Sequence, residues 1–191
     1  NIIVAGLIVI FTLISFSNVK KIEKMDLYSN YKMDLKLVAI ENSENYGSVN
    51  RVTVKNISPN KFADKEKFVL SYSGYDTINA GECFSAKVKV RSFKNDNYKA
   101  SWYSTDIYAQ LKLIEYKENL GNNKFYSGLQ EIRDFITDTL NTSMSEDSAA
   151  TMCGITVGDK TYFTDEFESN VRSAGVSHVM VVSGLHLAII L

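Results

Sequence analysis

The sequence has little of what most site chemistry uses: one proline, two cysteines and two histidines in 191 residues. Two cysteines are too few for a disulfide-rich scaffold, and with two histidines they give no spacing typical of a metal site. We therefore expect no structural metal and no cofactor. Cys83 and Cys153 are expected to be buried thiols rather than a disulfide. The single proline and 45% hydrophobic residues argue against long disorder.

The net charge is only −1, which excludes a uniformly basic or acidic protein. The charge is nevertheless unevenly divided along the chain. Residues 18–127 contain 18 basic and 13 acidic side chains, whereas residues 128–191 contain 3 basic and 9 acidic ones. The two parts of the sequence therefore differ in character.

Both ends of the sequence are apolar. Residues 2–16 contain no charge and are followed by Lys20, Lys21 and Lys24. Because a full membrane span needs about 20 apolar residues, we expect residues 1–17 to be a truncated transmembrane helix. Residues 175–191 are expected to be the start of a second transmembrane helix, which is also truncated. The pattern predicts a fragment of a polytopic membrane protein.

Between the ends, apolar and polar residues alternate in a way typical of β-strands. Turn-forming residues separate the alternating segments. This spacing predicts a small five-stranded β-barrel of the OB-like type over residues 26–120, with a five-stranded sandwich as the alternative. The five segments are residues 34–42, 49–56, 66–73, 83–93 and 106–116.

The fourth segment carries a row of basic side chains on one face and valines on the other, because successive strand residues point to opposite sides. Aromatic and further basic residues follow it. Basic rows beside aromatic rings are typical of proteins that bind single-stranded nucleic acid. The other interpretation is a solvated strand face with aromatic residues in the core. The predicted DNA-binding residues are Lys87, Lys89, Arg91, Lys94, Lys99, Tyr98, Trp102 and Tyr103.

The period changes to that of a helix after about residue 123. Apolar residues from Leu129 to Leu140 recur every three or four positions, which predicts an amphipathic helix. Residues 128–174 are therefore expected to form amphipathic, membrane-associated helices, which are followed by the second transmembrane helix.

Two helix starts are predicted within this region. Ser143 and Glu146 have the spacing of a capping box, opening a helix that would end at Gly158. Thr164 would cap another helix that ends at Gly175.

Three short elements stand in order near the end of the sequence. Residues 158–160 read Gly-Asp-Lys, residues 172–178 read Arg-Ser-Ala-Gly-Val-Ser-His, and residues 183–186 read Ser-Gly-Leu-His. Together they resemble the start of the conserved membrane region of the ComEC family, the inner-membrane DNA-uptake channel of natural transformation. The resemblance implies a small OB-like domain immediately before this region. Family members often have a cysteine pair in that loop, and Cys83 has no partner there.

Three polar residues in the last segment are candidates for a pore lining. Ser183 and His186 share one face of a helix, and His178 lies about two turns earlier. Polar groups at membrane depth are costly unless they face a cavity or a partner, so they line a pore or form structural hydrogen bonds. An intramembrane Ser-His hydrolase is the weakest interpretation, because no carboxylate is placed to orient an imidazole.

The resemblance, together with the basic and aromatic residues, implies part of an inner-membrane channel that takes up single-stranded DNA, with the OB-like domain contacting the incoming strand. A nuclease domain can follow in the family, but its zinc motif is absent here, so we expect no enzyme activity. The alternative is a membrane-tethered β domain that binds protein or glycan. Expected partners are single-stranded DNA, membrane lipid, other competence proteins and the remaining spans of the polypeptide.

The expected location is the cell membrane, with several spans. The lysines after the first span would place the loop in the cytoplasm by the positive-inside rule. The family resemblance instead places it on the extracellular or periplasmic side, and we follow the resemblance.

Overall fold

The computed structural model describes residues 2–59, 62, 65–74, 77–94, 96–97, 99–157, 163–173 and 175. The chain forms two compact units, Asn1–Ser127 and Gly128–Leu191. The helices are α1 (Ile2–Leu27), α2 (Lys99–Ser104), α3 (Lys124–Ser143), α4 (Glu146–Thr156) and α5 (Asp165–Ser173). The strands are β1 (Lys32–Ala39), β2 (Glu44–Tyr46), β3 (Val49–Asn56), β4 (Lys67–Tyr72), β5 (Glu82–Ser92) and β6 (Ile107–Asn122).

Five of the strands close into a barrel in the first unit. Their order around the barrel is β1, β5, β6, β4 and β3, and β1 pairs with β3 to complete the ring. β4 and β6 run parallel, whereas β1–β5, β5–β6, β3–β4 and β1–β3 are antiparallel. The predicted five-stranded OB-like barrel is confirmed, and the sandwich alternative is wrong.

A short hairpin extends the barrel at β3. Turn-forming residues predict a turn over residues 44–48, and the structure confines the turn to Gly47 and Ser48, because residues 44–46 form β2 and pair with β3. Gly47 makes the turn with a φ of 70°, a conformation that favours glycine. The connection between the first two strands of the barrel is therefore an ordered two-stranded arm.

The barrel core follows from the alternation of each strand. Along β5, Phe84, Ala86, Val88 and Val90 are fully buried while the residues between them point outward. Met25 of α1 is also only 2% exposed and belongs to the same core. Because its last turns carry core side chains, α1 continues beyond residue 17 to Leu27.

Membrane-spanning helices are predicted at both ends of the chain. Residues 1–17 are helical from Ile2 onward, and most of their side chains lie outside the described part. Among the helices as described, none is both long enough and apolar enough to cross a membrane. Residues 176–191 lie outside the described residues.

The second unit contains the predicted amphipathic helix, α3, and two shorter helices. The capping box at Ser143 is wrong: Ser143 is the last residue of α3, and Met144 N still donates to Leu140 O at 3.1 Å. The N-cap of α4 is Ser145, whose backbone is extended. The helix was predicted to end at Gly158, which lies outside the described residues, and α4 ends at Thr156.

The predicted cap of the next helix is confirmed. Phe167 N donates a hydrogen bond of 3.1 Å to Thr164 Oγ1 at the start of α5.

At the C-terminal end of α4, Arg133 Nη2 donates to Val157 O at 3.3 Å. A guanidinium there complements the partial negative charge of the helix C-terminus.

The two cysteines lie in different units, and the described residues form no disulfide. Cys83, in β5, is a free, half-buried thiol. Burial raises its pKa, only partly offset by a hydrogen bond from the Asn123 backbone, so the group stays protonated at neutral pH. Cys153 is buried in α4.

Candidate nucleic-acid interface

The connection from β5 to β6 folds back over the outside of the barrel. Phe93, Val69 and Ile107 form a small buried cluster there, and Trp102 of α2 packs against it. The rings of Phe93 and Trp102 stack with centroids 5.5 Å apart and planes 6° from parallel. Because this cluster covers its outer side, β4 is buried on both faces from Phe68 to Tyr72.

Two adjoining cavities lie along this connection. The first, of about 500 Å³, contains Arg91 and Lys94 in its lining. The second, of about 410 Å³, is lined in part by Arg51 and Trp102. Together they form what we call the α2 groove, because both cavities share the same three lining residues: Phe93, Asp96 and Gln110.

The β2–β3 hairpin positions Arg51 at the α2 groove. The guanidinium lies 4.9 Å from the centroid of the Tyr46 ring, a cation–π contact. Tyr46 OH in turn donates a 2.5 Å hydrogen bond to Glu44 Oε2. This hydrogen bond, with burial, raises the pKa of Tyr46, so the ring that holds Arg51 is neutral at physiological pH.

A lysine of α1 ties the helix to the barrel next to the same connection. Lys21 Nζ lies 3.3 Å from Asp106 Oδ1 and 3.4 Å from Glu66 Oε2. The ammonium also lies 5.1 Å from the centroid of the Tyr108 ring. Burial disfavours the charge of Lys21, but the two carboxylates outweigh it and raise its pKa. Burial and a hydrogen bond with Asp106 raise the pKa of Tyr108 well above its usual range.

The basic residues of β5 share the outer face, as the alternation predicts. Lys87 and Lys89 are half-buried and Arg91 is exposed, while Val88 and Val90 between them are in the core. Arg91 lies opposite Gln110 of β6, and both line the α2 groove. The predicted row of positive charge is therefore present on the barrel surface.

The surroundings of Lys87 and Lys89 differ in charge. Lys87 lies in register between Asp34 of β1 and Glu115 of β6, so an acidic residue stands opposite it on each neighbouring strand. Lys89, two residues further on, lies between Lys32 and Lys112 on the same two strands. The residues that face β5 therefore change along the strand, from acidic residues beside Lys87 to lysines beside Lys89.

The other predicted DNA-binding residues are placed differently. Lys94 and Trp102 line the α2 groove, and Lys99 is exposed at the start of α2. Tyr103 packs against the core and stacks on Tyr108 at 5.6 Å, and burial raises the pKa of Tyr103. Tyr98 lies outside the described residues.

The sequence predictions omitted four residues at this surface. Arg51 and Gln110 line the groove, and Lys32 and Lys112 flank Lys89. Arg51, Gln110 and Lys112 occupy the polar positions of predicted strands, so the alternation could have assigned them to the surface. Their positions beside β5 depend on strand pairing, which the alternation alone does not give.

The described residues contain no group of three or more His, Cys, Asp or Glu side chains that could hold a metal ion. The polar residues predicted to line a pore, His178, Ser183 and His186, lie outside the described residues.

The barrel thus defines an OB-like domain with a basic and aromatic groove. Residues 155–191, which begin at the end of α4 and lie C-terminal to this domain, match a family model described as Competence protein. The match confirms the family resemblance of this stretch, and an OB-like barrel before it is the order of a ComEC-type protein. It supports a role in competence and DNA uptake in general. Comparisons with curated proteins and with solved structures found no match.

Proposed function

We propose that this chain is part of an inner-membrane channel that takes up single-stranded DNA during natural transformation. In this proposal the OB-like domain contacts the incoming strand at the α2 groove. The observation that carries it is that Arg51 and Trp102 line one cavity, and that Arg91 and Lys94 line the adjoining one. Guanidinium and ammonium groups suit phosphates, and the indole suits a base.

The place of the groove in the fold supports this assignment. OB-folds bind oligonucleotides and oligosaccharides on the face of their second and third strands and at the loops between strands 1–2 and 4–5. Counted along the chain, β3 and β4 are the second and third of the five barrel strands. The β2 arm and the α2 connection are the corresponding loops.

Binding of a fluorescent oligo(dT) to the full chain in detergent, followed by anisotropy at increasing salt, tests the proposal. We expect weak binding without strong sequence preference that falls steeply with salt. The double variant Arg51→Gln/Arg91→Gln should lose most of it, whereas Lys36→Gln/Lys117→Gln, which removes two charges away from the groove, should bind nearly as the wild type. Equal affinity of the groove variant and the wild type would contradict the assignment.

One feature favours the second candidate function, binding of a glycan or protein. The carboxylate residue Asp96 lines both cavities beside Trp102, and a carboxylate with an indole suits sugar hydroxyls better than phosphates. Binding that persists at high salt, competed by neutral oligosaccharides rather than by oligo(dT), would favour this candidate.

For the membrane part, we propose several spans with the OB-like domain on the extracellular or periplasmic side. Partners there are lipid, other competence proteins and the remaining spans, and the role is transport rather than catalysis. Asn45 is exposed on the β2 arm, so an Asn45→Cys variant in a Cys83→Ser background can be labelled in intact cells. Labelling by a membrane-impermeant maleimide is expected, and labelling only after lysis would place the domain inside.

The same proposal makes His178, Ser183 and His186 line the DNA path. His186→Leu should then lower transformation frequency while the protein level, measured by immunoblotting, stays normal. Loss of protein together with transformation would indicate a structural hydrogen bond instead. Normal transformation in variants of both histidines would eliminate a pore lining.

A further inference from the structure

Three lysines stand side by side on the outer surface of three adjacent strands. Lys89 of β5 lies directly opposite Lys32 of β1 on one side and Lys112 of β6 on the other. Neighbouring strands are about 4.8 Å apart, and like charges placed directly opposite each other destabilise a sheet. Within the described part of the chain, none of the three forms an ion pair with a carboxylate.

The same three strands show that compensation was possible at this position. At the preceding outward-facing position of β5, Lys87 stands between Asp34 and Glu115. Lys117 Nζ lies 2.9 Å from Asp34 Oδ2. The uncompensated row is therefore a local feature of the lysines around Lys89. It is not a general excess of charge on this side of the barrel.

The row continues around the barrel to the α2 groove. Lys112 lies in register with Ser71 of β4, and Ser71 lies in register with Arg51 of β3. We call Lys32, Lys89, Lys112, Ser71 and Arg51 the basic belt. Its four steps between strands span about 19 Å, and it carries a basic residue on four of the five barrel strands.

The basic belt lies beside the α2 groove. Arg51 belongs to both. Gln110 and Arg91 occupy the outward-facing positions next to Lys112 and Lys89 on the same strands, and both line the groove. Resting on the proposed function, we infer that the basic belt holds the phosphate backbone of the same strand whose bases enter the α2 groove. The backbone would cross the barrel strands from Arg51 towards Lys32.

The shape of the basic belt favours a flexible polyanion over a membrane surface. Its residues follow successive strands of a closed barrel, so they face different directions around the curved surface. A flat layer of lipid headgroups contacts only one side of such a curve, whereas a single strand can bend along it. Ser71 is buried between its two basic neighbours and its hydroxyl donates to Leu111 O at 3.3 Å, so the phosphates would be held by Lys112 and Arg51 on either side of it.

The test compares two triple variants that remove equal charge from the barrel strands. Lys32→Gln/Lys89→Gln/Lys112→Gln disrupts the basic belt, and Lys36→Gln/Lys55→Gln/Lys117→Gln, at positions outside the belt and the α2 groove, is the matched control. Each is measured as the full chain in detergent with fluorescent oligo(dT) at several salt concentrations. A short-chain phosphatidylglycerol is titrated in parallel.

The belt variant should bind oligo(dT) at least about tenfold more weakly at low salt, and its slope of log affinity against log salt should fall by about 2, since each phosphate contact contributes about 0.7. Its Tm should stay equal to or above that of the wild type, because mutual repulsion of the lysines is removed. The control should keep nearly the wild-type affinity and slope.

Four results would overturn the inference. Unchanged affinity and slope in the belt variant would show that phosphates do not lie on the belt, while the groove assignment would stand. Equal losses in both triple variants would show an effect of net charge alone. Loss of phosphatidylglycerol binding with oligo(dT) binding intact would assign the belt to lipid. Absence of oligo(dT) binding by the wild type would reject the proposed function itself, and the inference with it.

Discussion

Trp102 stacks in a parallel, offset arrangement on Phe93, with ring centroids 5.5 Å apart. Phe93 is 4% exposed and fixed in the cluster over β4, whereas Trp102 is only half-buried and lines the α2 groove. One face of the indole is thus held by the protein. A ring held in this way is suited to stack with a second aromatic system, such as a base.

Trp102→Ala should weaken oligo(dT) binding by about tenfold, since stacking of one base contributes about 1 to 3 kcal/mol. Trp102→Phe, the control, keeps an aromatic face and should lose only a few-fold. Trp102 is the single tryptophan of the chain, so quenching of intrinsic fluorescence reports the contact directly. Saturable binding without any quenching would contradict stacking on this ring.

Gly81→Ala should lower the free energy of unfolding by about 2 kcal/mol or more. Gly81 has a φ of 87°, and an added Cβ would overlap the Asn122 side chain and lie 2.8 Å from Asn123 O. Gly47→Ala is the matched control, because its φ is 70° but nothing lies within 4 Å of the added Cβ. It should cost about 1 kcal/mol, the backbone cost alone. Equal losses in thermal or urea unfolding would show that the contacts at Gly81 are unimportant.

Met25→Ala should destabilise the barrel by about 2 to 4 kcal/mol, because it leaves a cavity in the core. Leu27→Ala, two residues on, concerns a side chain that is 77% exposed and should change stability by less than about 0.5 kcal/mol. Urea unfolding followed by circular dichroism measures both.

A fragment of residues 18–127 should fold with a β-rich circular dichroism spectrum, and a helix-dominated spectrum would count against the barrel.

Lys21→Met should reduce stability by about 0.5 to 1 kcal/mol at neutral pH, because its ion pairs are partly exposed. The pKa of Lys21 is raised in the folded state, so this contribution is fully present below its ordinary value of 10.5 and is lost as the pH rises through the folded value. The difference between wild type and variant should therefore disappear at high pH. Lys21→Arg, which does not titrate there, should retain the contribution. A difference independent of pH would assign the effect of Lys21→Met to packing.

The alternation of β5 made the barrel predictable from the sequence. Residues such as Val88 and Lys89 indicate by type which face is buried, and five such segments at this spacing favour a barrel, with a sandwich as the alternative. The partners of Lys89 could not be predicted in this way. Lys32 lies opposite it through the pairing of β1 with β5, which are distant in the sequence, and Lys112 through the register of β5 with β6, which the alternation does not give.

The structure also differs from the prediction at the start of α4 and at α2, where local sequence preferences compete with other interactions. Ser143 has the residue type and spacing of a cap, but α3 continues through it and Ser145 becomes the first extended residue. Helix α2 was not predicted, because Trp102 and Tyr103 have strand propensity and only their packing against the outer face of the barrel favours the helix. The groove therefore lies at the segment whose structure depends most on tertiary contacts.

Photocrosslinking tests the central claim most directly. Oligo(dT) containing 4-thiothymidine, irradiated with the full chain and analysed by mass spectrometry, reports which residues lie against the bases. We predict crosslinks to the β5–β6 connection around Trp102 and to Arg51 at the β2 arm. Crosslinks confined to the second unit, or none above a control with unmodified oligo(dT), would contradict the account.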